Sequence, residues 1–171
     1  MVAEMTGMLV PAVILVAMAF SLPSARADGF LSSLDGRWSG SGWAKRNSGS
    51  PREVVRCRIK NTYVDASQRL VVTGKCVVPG RKFDLSGTVS ARDGSNEING
   101  RWSNPFGMES TRVNGRRSGD QIRFTFSAKD PETKMLVDQA MKWIRSGEGF
   151  SITTLNQEEN GEALSKIEFR R

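Results

Sequence analysis

The sequence predicts an all-β protein, an antiparallel up-and-down meander of about nine or ten strands that closes into a barrel. Turn motifs recur at short intervals, and the segments between them alternate apolar and polar residues. One apolar face also continues through five consecutive hairpins without a change of parity, which an accidental pattern would not sustain. Closure is expected because an open meander of this length would leave two exposed strand edges.

The N-terminal segment predicts export. Residues 9–22 form an apolar run that ends near Ala25-Arg26-Ala27, a small-x-small site of the kind that signal peptidase cuts. We therefore assign residues 1–27 to a signal peptide and residues 28–171 to a single β-barrel domain. The run is short for a membrane span, and a retained anchor is the alternative. We expect a periplasmic protein, with secretion as the alternative.

Both cysteines lie in a segment that predicts a β-hairpin. A turn at residues 65–68 sets Cys57 directly opposite Cys76 and Ile59 opposite Gly74. Opposed residues are within disulfide reach, and exported proteins keep such bonds. We therefore predict a Cys57–Cys76 disulfide, with two reduced buried thiols as the alternative.

The first strand is predicted to open at Asp35-Gly36-Arg37-Trp38 and to run to about Lys45. Trp38 and Trp43 have opposite parity, and the glycines between them suggest a bulge or a bend. Further strands follow at turn motifs that contain Pro, Gly, Asp or Asn. These turns are Val78–Arg81, Asp93–Gly94, Asn104–Gly107, Ser118–Gly119 and Asn160–Gly161.

The predicted registers bring small residues together on the inner face. They set Gly87 opposite Gly100, Gly100 opposite Thr111, and Glu109 opposite Trp102. The missing side chains leave a hollow that is filled by Trp38 or Trp102, or the glycines permit the curvature of the barrel. The alternative is a small ligand cavity in which Glu109 orients a ligand. Glu109 is otherwise a solvated residue at the barrel end. The candidate interior residues are Trp38, Tyr63, Gly87, Gly100, Trp102, Glu109, Thr111, Phe124 and Phe126.

The C-terminal third is less clearly patterned. Residues 131–138 begin like a short helix, whereas residues 139–154 echo the preceding hairpin and are predicted to form another. The Asn160–Gly161 turn then pairs Ile152 with Phe169 and Phe150 with Arg171. The helix at 131–138 and a strand there both remain open.

The residue content limits the chemistry that this chain can perform. The sequence has no histidine, so catalytic triads and histidine-bound metals are excluded. A disulfide also removes both cysteines as nucleophiles or metal ligands. No glycine-rich phosphate loop is present. We expect neither a cofactor nor a metal, and not an enzyme.

The net charge of +7 favours contact with anionic partners. The outer face of the hairpin is predicted to carry Arg56, Arg58, Lys60 and Lys75, with Arg58 opposite Lys75. This basic patch is either a solvated face or a site for an anion or acidic partner. It lacks base-stacking aromatic residues, so sequence-specific nucleic-acid binding is not expected.

Gly36-Arg37-Trp38 on the first strand, the meander, and a late arginine at Arg170 or Arg171 resemble calycin-type barrels. These include lipocalins, avidins and small bacterial metalloprotease inhibitors. The chain also resembles small exported alphaproteobacterial proteins. The calycin resemblance implies that Trp38 plugs one end of the barrel and that the late arginine packs across it.

Two functions remain open at this point. The first is a non-enzymatic binding module of the bacterial envelope that holds a small apolar ligand or a partner protein. The alternative, closest to the inhibitor family, is a protease inhibitor that inserts its lead segment, residues 28–34, into a protease cleft. We expect a monomer without a transmembrane span.

Overall fold

The fold is a closed barrel of ten antiparallel strands preceded by one short helix, as the computed structural model shows for residues 27–92, 94–103, 110–129, 133–156 and 161–171. Each strand pairs with its neighbours in sequence, and the first strand pairs with the last. The predicted all-β barrel is thus confirmed. The elements are α1 Ala27–Ser33, β1 Gly36–Ala44, β2 Glu53–Val64, β3 Arg69–Val78, β4 Arg81–Ala91, β5 Glu97–Trp102, β6 Thr111–Ser118, β7 Gln121–Lys129, β8 Leu136–Ser146, β9 Gly149–Asn156 and β10 Ala163–Arg170.

Alternation along each strand builds the core. In β7, for example, buried and exposed residues follow each other with a period of two, so apolar side chains point inward and polar ones outward. The inward side chains of all ten strands meet in one cluster on the barrel axis. Its largest fully buried members are Trp143, Phe30, Phe124 and Phe169.

The disulfide hairpin forms with the predicted register. Cys57 lies opposite Cys76, Ile59 opposite Gly74, and the two sulfur atoms are bonded. Both cysteines are buried on the inner face. The turn is one short 3-10 segment, Asp65–Ser67. The predicted disulfide is therefore confirmed.

The predicted pairings of Gly87 with Gly100 and of Gly100 with Thr111 are wrong by two residues. The structure pairs Gly87 with Trp102 and Gly100 with Val113. Trp102 in turn lies opposite Thr111, and its indole ring occupies the space that a Cβ at Gly87 would need. The predicted register would have set two glycines opposite each other with no side chain between them. Because the error is two residues, every side chain still faces its predicted side.

The hairpin of β6 and β7 shows the same shift. It turns at Gly119–Asp120 instead of the predicted Ser118–Gly119, and Gly119 has the positive φ of 58° that this turn requires. As a result, Gly115 lies opposite Phe124. A Cβ at Gly115 would lie 2.5 Å from Phe124 Cδ1, so an aromatic ring again covers a glycine.

The last hairpin is also displaced by two residues from its prediction. Phe150 pairs with Phe169 instead of Arg171, and Ile152 pairs with Ile167 instead of Phe169. The two phenylalanine rings stack with centroids 4.8 Å apart. Stacked aromatic pairs contribute about 0.5–1.5 kcal/mol beyond their buried area, which favours this register.

Two local predictions differ from the structure. The pairing of β1 is regular on both sides, so Gly40 and Gly42 mark no bulge. Of the two alternatives left open for 131–138, the helix is not formed at the C-terminal end of this segment, because β8 begins at Leu136. Lys134 has a φ of 61°, which a right-handed helix does not allow. Residues 131 and 132, and Asn160 of the predicted last turn, lie outside the described residues.

Helix α1 is an element that the sequence reasoning did not predict. It spans Ala27–Ser33 and packs against β3 and β4. In the described part of the chain, no helical segment combines the length and hydrophobicity needed to cross a bilayer.

Candidate binding surfaces

Trp38 closes one end of the barrel. Its indole Nε1 donates a hydrogen bond to the Leu34 carbonyl at 2.8 Å, and its ring meets Phe150 edge to face at 5.0 Å. The Arg171 guanidinium lies 4.9 Å from the centre of the Trp38 ring. Of the two late arginines named in the sequence analysis, Arg171 rather than Arg170 lies against the Trp38 ring, an arrangement that is compatible with calycin-type barrels.

Helix α1 covers the same end. Phe30, Leu31 and Leu34 are at most 1% exposed, so their side chains are as buried as any in the core. The Leu34 carbonyl also accepts a hydrogen bond from Asn61 Nδ2 at 2.9 Å. The lead segment is consequently part of the packed interior and does not project from the barrel.

Aromatic side chains fill the space beside the small inner residues Gly87 and Gly100. Trp102 covers Gly87, and Trp102 and Phe124 both meet Trp143 with ring centroids 5.3 Å apart. At Gly100, a Cβ would collide with a carbonyl oxygen of the neighbouring strand. Of the two interpretations left open by the sequence, these contacts favour filling by Trp102 over a ligand cavity.

This packing makes Gly87 and Trp102 energetically dependent on each other. We expect Gly87→Ala to lower the free energy of unfolding by about 1–3 kcal/mol, because the new methyl group overlaps the indole ring. In a Trp102→Ala background the same change is expected to have almost no effect. Chemical denaturation of the two single variants and the double variant measures this coupling.

Gly49→Ala is the matched control for this cycle, since the added Cβ would find its nearest atom at 3.7 Å. It is expected to leave the denaturation midpoint nearly unchanged. Additive costs for Gly87→Ala and Trp102→Ala would contradict the contact.

The remaining predicted interior residues do not converge on one pocket. Tyr63 is half-buried at the α1 end, whereas Phe126 and Thr111 lie towards the opposite end. The Thr111 hydroxyl is occupied, because Oγ1 donates to the Ser127 carbonyl at 2.8 Å. Glu109, the predicted cavity acid, lies outside the described residues.

The sequence reasoning missed several inward residues. Gln139, Met141 and Trp143 occupy alternate inner positions of β8, and Asn61 lies inward on β2. The hairpin predicted over 139–154 is present as β8 and β9, but no register was predicted for β8, so its inner residues were not assigned. Two atoms of this interior, Asn61 Oδ1 and Trp143 Nε1, have no hydrogen-bond partner among the described residues.

The predicted basic patch lies on the outer wall. Arg56, Arg58, Lys60 and Lys75 are all exposed, and Arg58 is directly opposite Lys75. Lys75 approaches Asp84 at 4.0 Å, but both side chains are 81% exposed and such a pair contributes little. The other three form no ion pair with any described residue.

The strands of the barrel carry many more basic than acidic residues. The ten strands carry eighteen of the 25 lysines and arginines but only five of the 18 aspartates and glutamates. Five directly opposed pairs are cation against cation, whereas only Lys75–Asp84 and Glu97–Arg116 combine opposite charges. The like-charged pairs are Arg37–Lys60, Arg58–Lys75, Arg101–Arg112, Arg116–Arg123 and Arg123–Lys142.

The fold and its surface define a closed ten-stranded antiparallel barrel with an aromatic interior and a basic outer wall. This architecture is compatible with the calycin-type barrels. A comparison of the sequence with known protein families and with curated proteins found no match.

Proposed function

We propose that this protein is a non-enzymatic, exported β-barrel module of the bacterial envelope that binds an anionic partner through its basic outer wall. The observation that carries the proposal is the set of directly opposed cations on neighbouring strands. Each such pair is unfavourable in the isolated fold by some tenths of a kcal/mol. An anion placed between them removes this repulsion and gains attraction from both side chains.

Export is supported by the predicted signal peptide and by the buried disulfide, since oxidising compartments preserve such bonds. The Trp38–Arg171 contact supports a relationship to calycin-type barrels. Both arguments agree with an envelope protein whose core is structural and whose binding surface is external.

Two other functions receive less support. A small apolar ligand inside the barrel would have to displace Trp102 or Trp38, both of which are at most 5% exposed. A protease inhibitor acting through residues 28–34 would have to release Phe30, Leu31 and Leu34 from the core. Freeing three such side chains costs about 1.5–3 kcal/mol each.

To test whether the basic outer wall binds anions, retention of the full chain is measured on immobilised dextran sulfate and on uncharged dextran. We expect retention on the sulfated matrix only, with elution by salt. Arg58→Gln/Lys75→Gln should elute at lower salt than Arg69→Gln/Lys129→Gln. Both variants lose two charges, but only the first removes an opposed pair of cations.

Equal elution of the two variants would reduce the effect to net charge and contradict a defined binding wall. Absence of retention of the wild-type protein at low ionic strength would overturn the proposed function.

A further inference from the structure

We propose that a linear, carboxylate-bearing polysaccharide binds along one row of the barrel wall. The row is formed by Arg116, Arg123, Lys142 and Lys166, and we call these four residues the cationic track. This inference rests on the proposed function and names the chemical class of its anionic partner.

The track is a continuous line of neighbouring positions that runs across five strands. Arg116 lies opposite Arg123, and Arg123 lies opposite Lys142. Lys142 then lies opposite Thr153, and Thr153 opposite Lys166. Adjacent strands are about 4.8 Å apart, so the five positions span about 19 Å. A chain laid across the strands would therefore meet a cation at four of five successive steps.

The middle of the track has no internal counter-charge. Arg123 and Lys142 form no ion pair with any described residue. Arg116 lies 3.8 Å from Glu97, but this carboxylate has a closer partner in Arg92 at 2.7 Å. Among the described residues, the three successive cations Arg116, Arg123 and Lys142 therefore have one carboxylate nearby, that of Glu97, and Arg92 already pairs with it.

The other end of the track enters a groove of about 700 Å³ on the outer face of β9. In this groove β9 presents two small side chains, Ser151 and Thr153. Ser151 lies between Ile144 and Glu168, and Thr153 lies between Lys142 and Lys166. Glu168 also lines the groove and forms an ion pair with Lys166 at 3.1 Å. The groove thus offers hydroxyl groups and three cations, Lys166, Arg170 and Arg171, against the two carboxylates of Glu148 and Glu168.

The shape of the track favours a flexible chain over a planar surface. It crosses five of the ten strands and so curves around about half of the barrel. A bilayer surface could contact only part of such a curved row, whereas a polymer can follow it.

The residue types favour a sugar acid over a nucleic acid. A single-stranded nucleic acid needs aromatic side chains on which successive bases stack. Only one aromatic residue continues the row, Trp43 beside Lys166, and Arg52 already lies over its ring at 3.9 Å. Hydroxyls, regularly spaced cations and a spacing close to the length of one sugar residue instead match a polyuronate.

The probe is a series of oligogalacturonates of increasing length, titrated into the full chain at low salt. We expect affinity to increase up to about five sugar residues, the length that spans the track, and then to level off. Arg123→Gln/Lys142→Gln should bind the five-residue oligomer at least about tenfold more weakly. The control Arg69→Gln/Lys129→Gln, which loses the same charge from exposed positions outside the opposed cation pairs, should bind within about twofold of wild type.

A second variant separates the site from net charge. Thr153→Leu keeps every charge but fills the floor of the groove. It should lower the affinity for the five-residue oligogalacturonate without changing retention on dextran sulfate. All three variants change outward-facing side chains, so equal thermal midpoints verify that they are folded.

The outcomes distinguish this inference from the proposed function. Loss of affinity confined to the track variants supports it. Equal losses in the track variant and its control, or tighter binding of a single-stranded DNA of equal charge, would overturn the polysaccharide site while leaving a basic binding wall. Absence of binding to any anionic probe would overturn both.

Discussion

Replacing Trp38 with alanine is expected to lower the free energy of unfolding by about 3–5 kcal/mol. The change removes a buried indole, its hydrogen bond to the Leu34 carbonyl and its contact with Phe150. It also leaves Arg171 without the ring over which its guanidinium lies. Urea denaturation of the wild type and the variant measures the difference directly.

Trp43→Ala is the matched control, because it deletes the same side chain from the same strand. Trp43 faces outward and is only half-buried, so we expect a loss of about 1 kcal/mol from its contact with Arg52. Trp38→Ala should also create a site for small apolar molecules that the wild type lacks. Saturable uptake of a fluorescent fatty acid by the wild-type protein would contradict a filled barrel.

Loss of the disulfide is expected to have the second-largest effect. Cys57→Ala/Cys76→Ala should be less stable than the oxidised protein by about 3 kcal/mol, because the bond closes a loop between residues 19 apart. The hairpin keeps its backbone pairing, so the variant should retain the barrel and unfold at lower denaturant.

Wild-type protein treated with a reductant should approach the denaturation midpoint of the double variant. Intact mass should also increase by the mass of two hydrogen atoms on reduction. Labelling of either cysteine in the unreduced, unfolded chain would refute the bond.

The sequence was sufficient to predict which face each strand residue occupies. It did not determine the register of several strand pairs, which differ from the prediction by two residues. Turn motifs place a hairpin only to within two residues, and a shift of two leaves the alternation unchanged. The choice is made by long-range packing, since the structure places Trp102 over Gly87, Phe124 over Gly115 and Phe169 beside Gly40. An aromatic ring that covers a glycine fills space that two opposed glycines would leave empty.

The candidate sites could likewise be predicted only where the register of the strands that carry them was known. Arg58 and Lys75 belong to one hairpin, so their apposition could be derived from the cysteine register. The cationic track could not be derived, because Arg123 and Lys142 meet across the pairing of β7 with β8, for which no register was predicted. Helix α1 was missed because seven residues carry little helical signal and its stability comes from burial.

The barrel contains contacts between residues that are close in sequence and one strand pairing, β1 with β10, between residues that are far apart in sequence. The β2–β3 hairpin joins residues close in sequence and can form as soon as both strands are available. Closure instead joins Ser39 to Arg170, which are far apart in the sequence, and therefore has a larger entropic cost of loop closure. Without β10, β1 and β9 would both present unpaired backbone groups that another chain could extend. The pairing of β10 with β1 and β9 therefore also removes the two strand edges through which the barrel could aggregate.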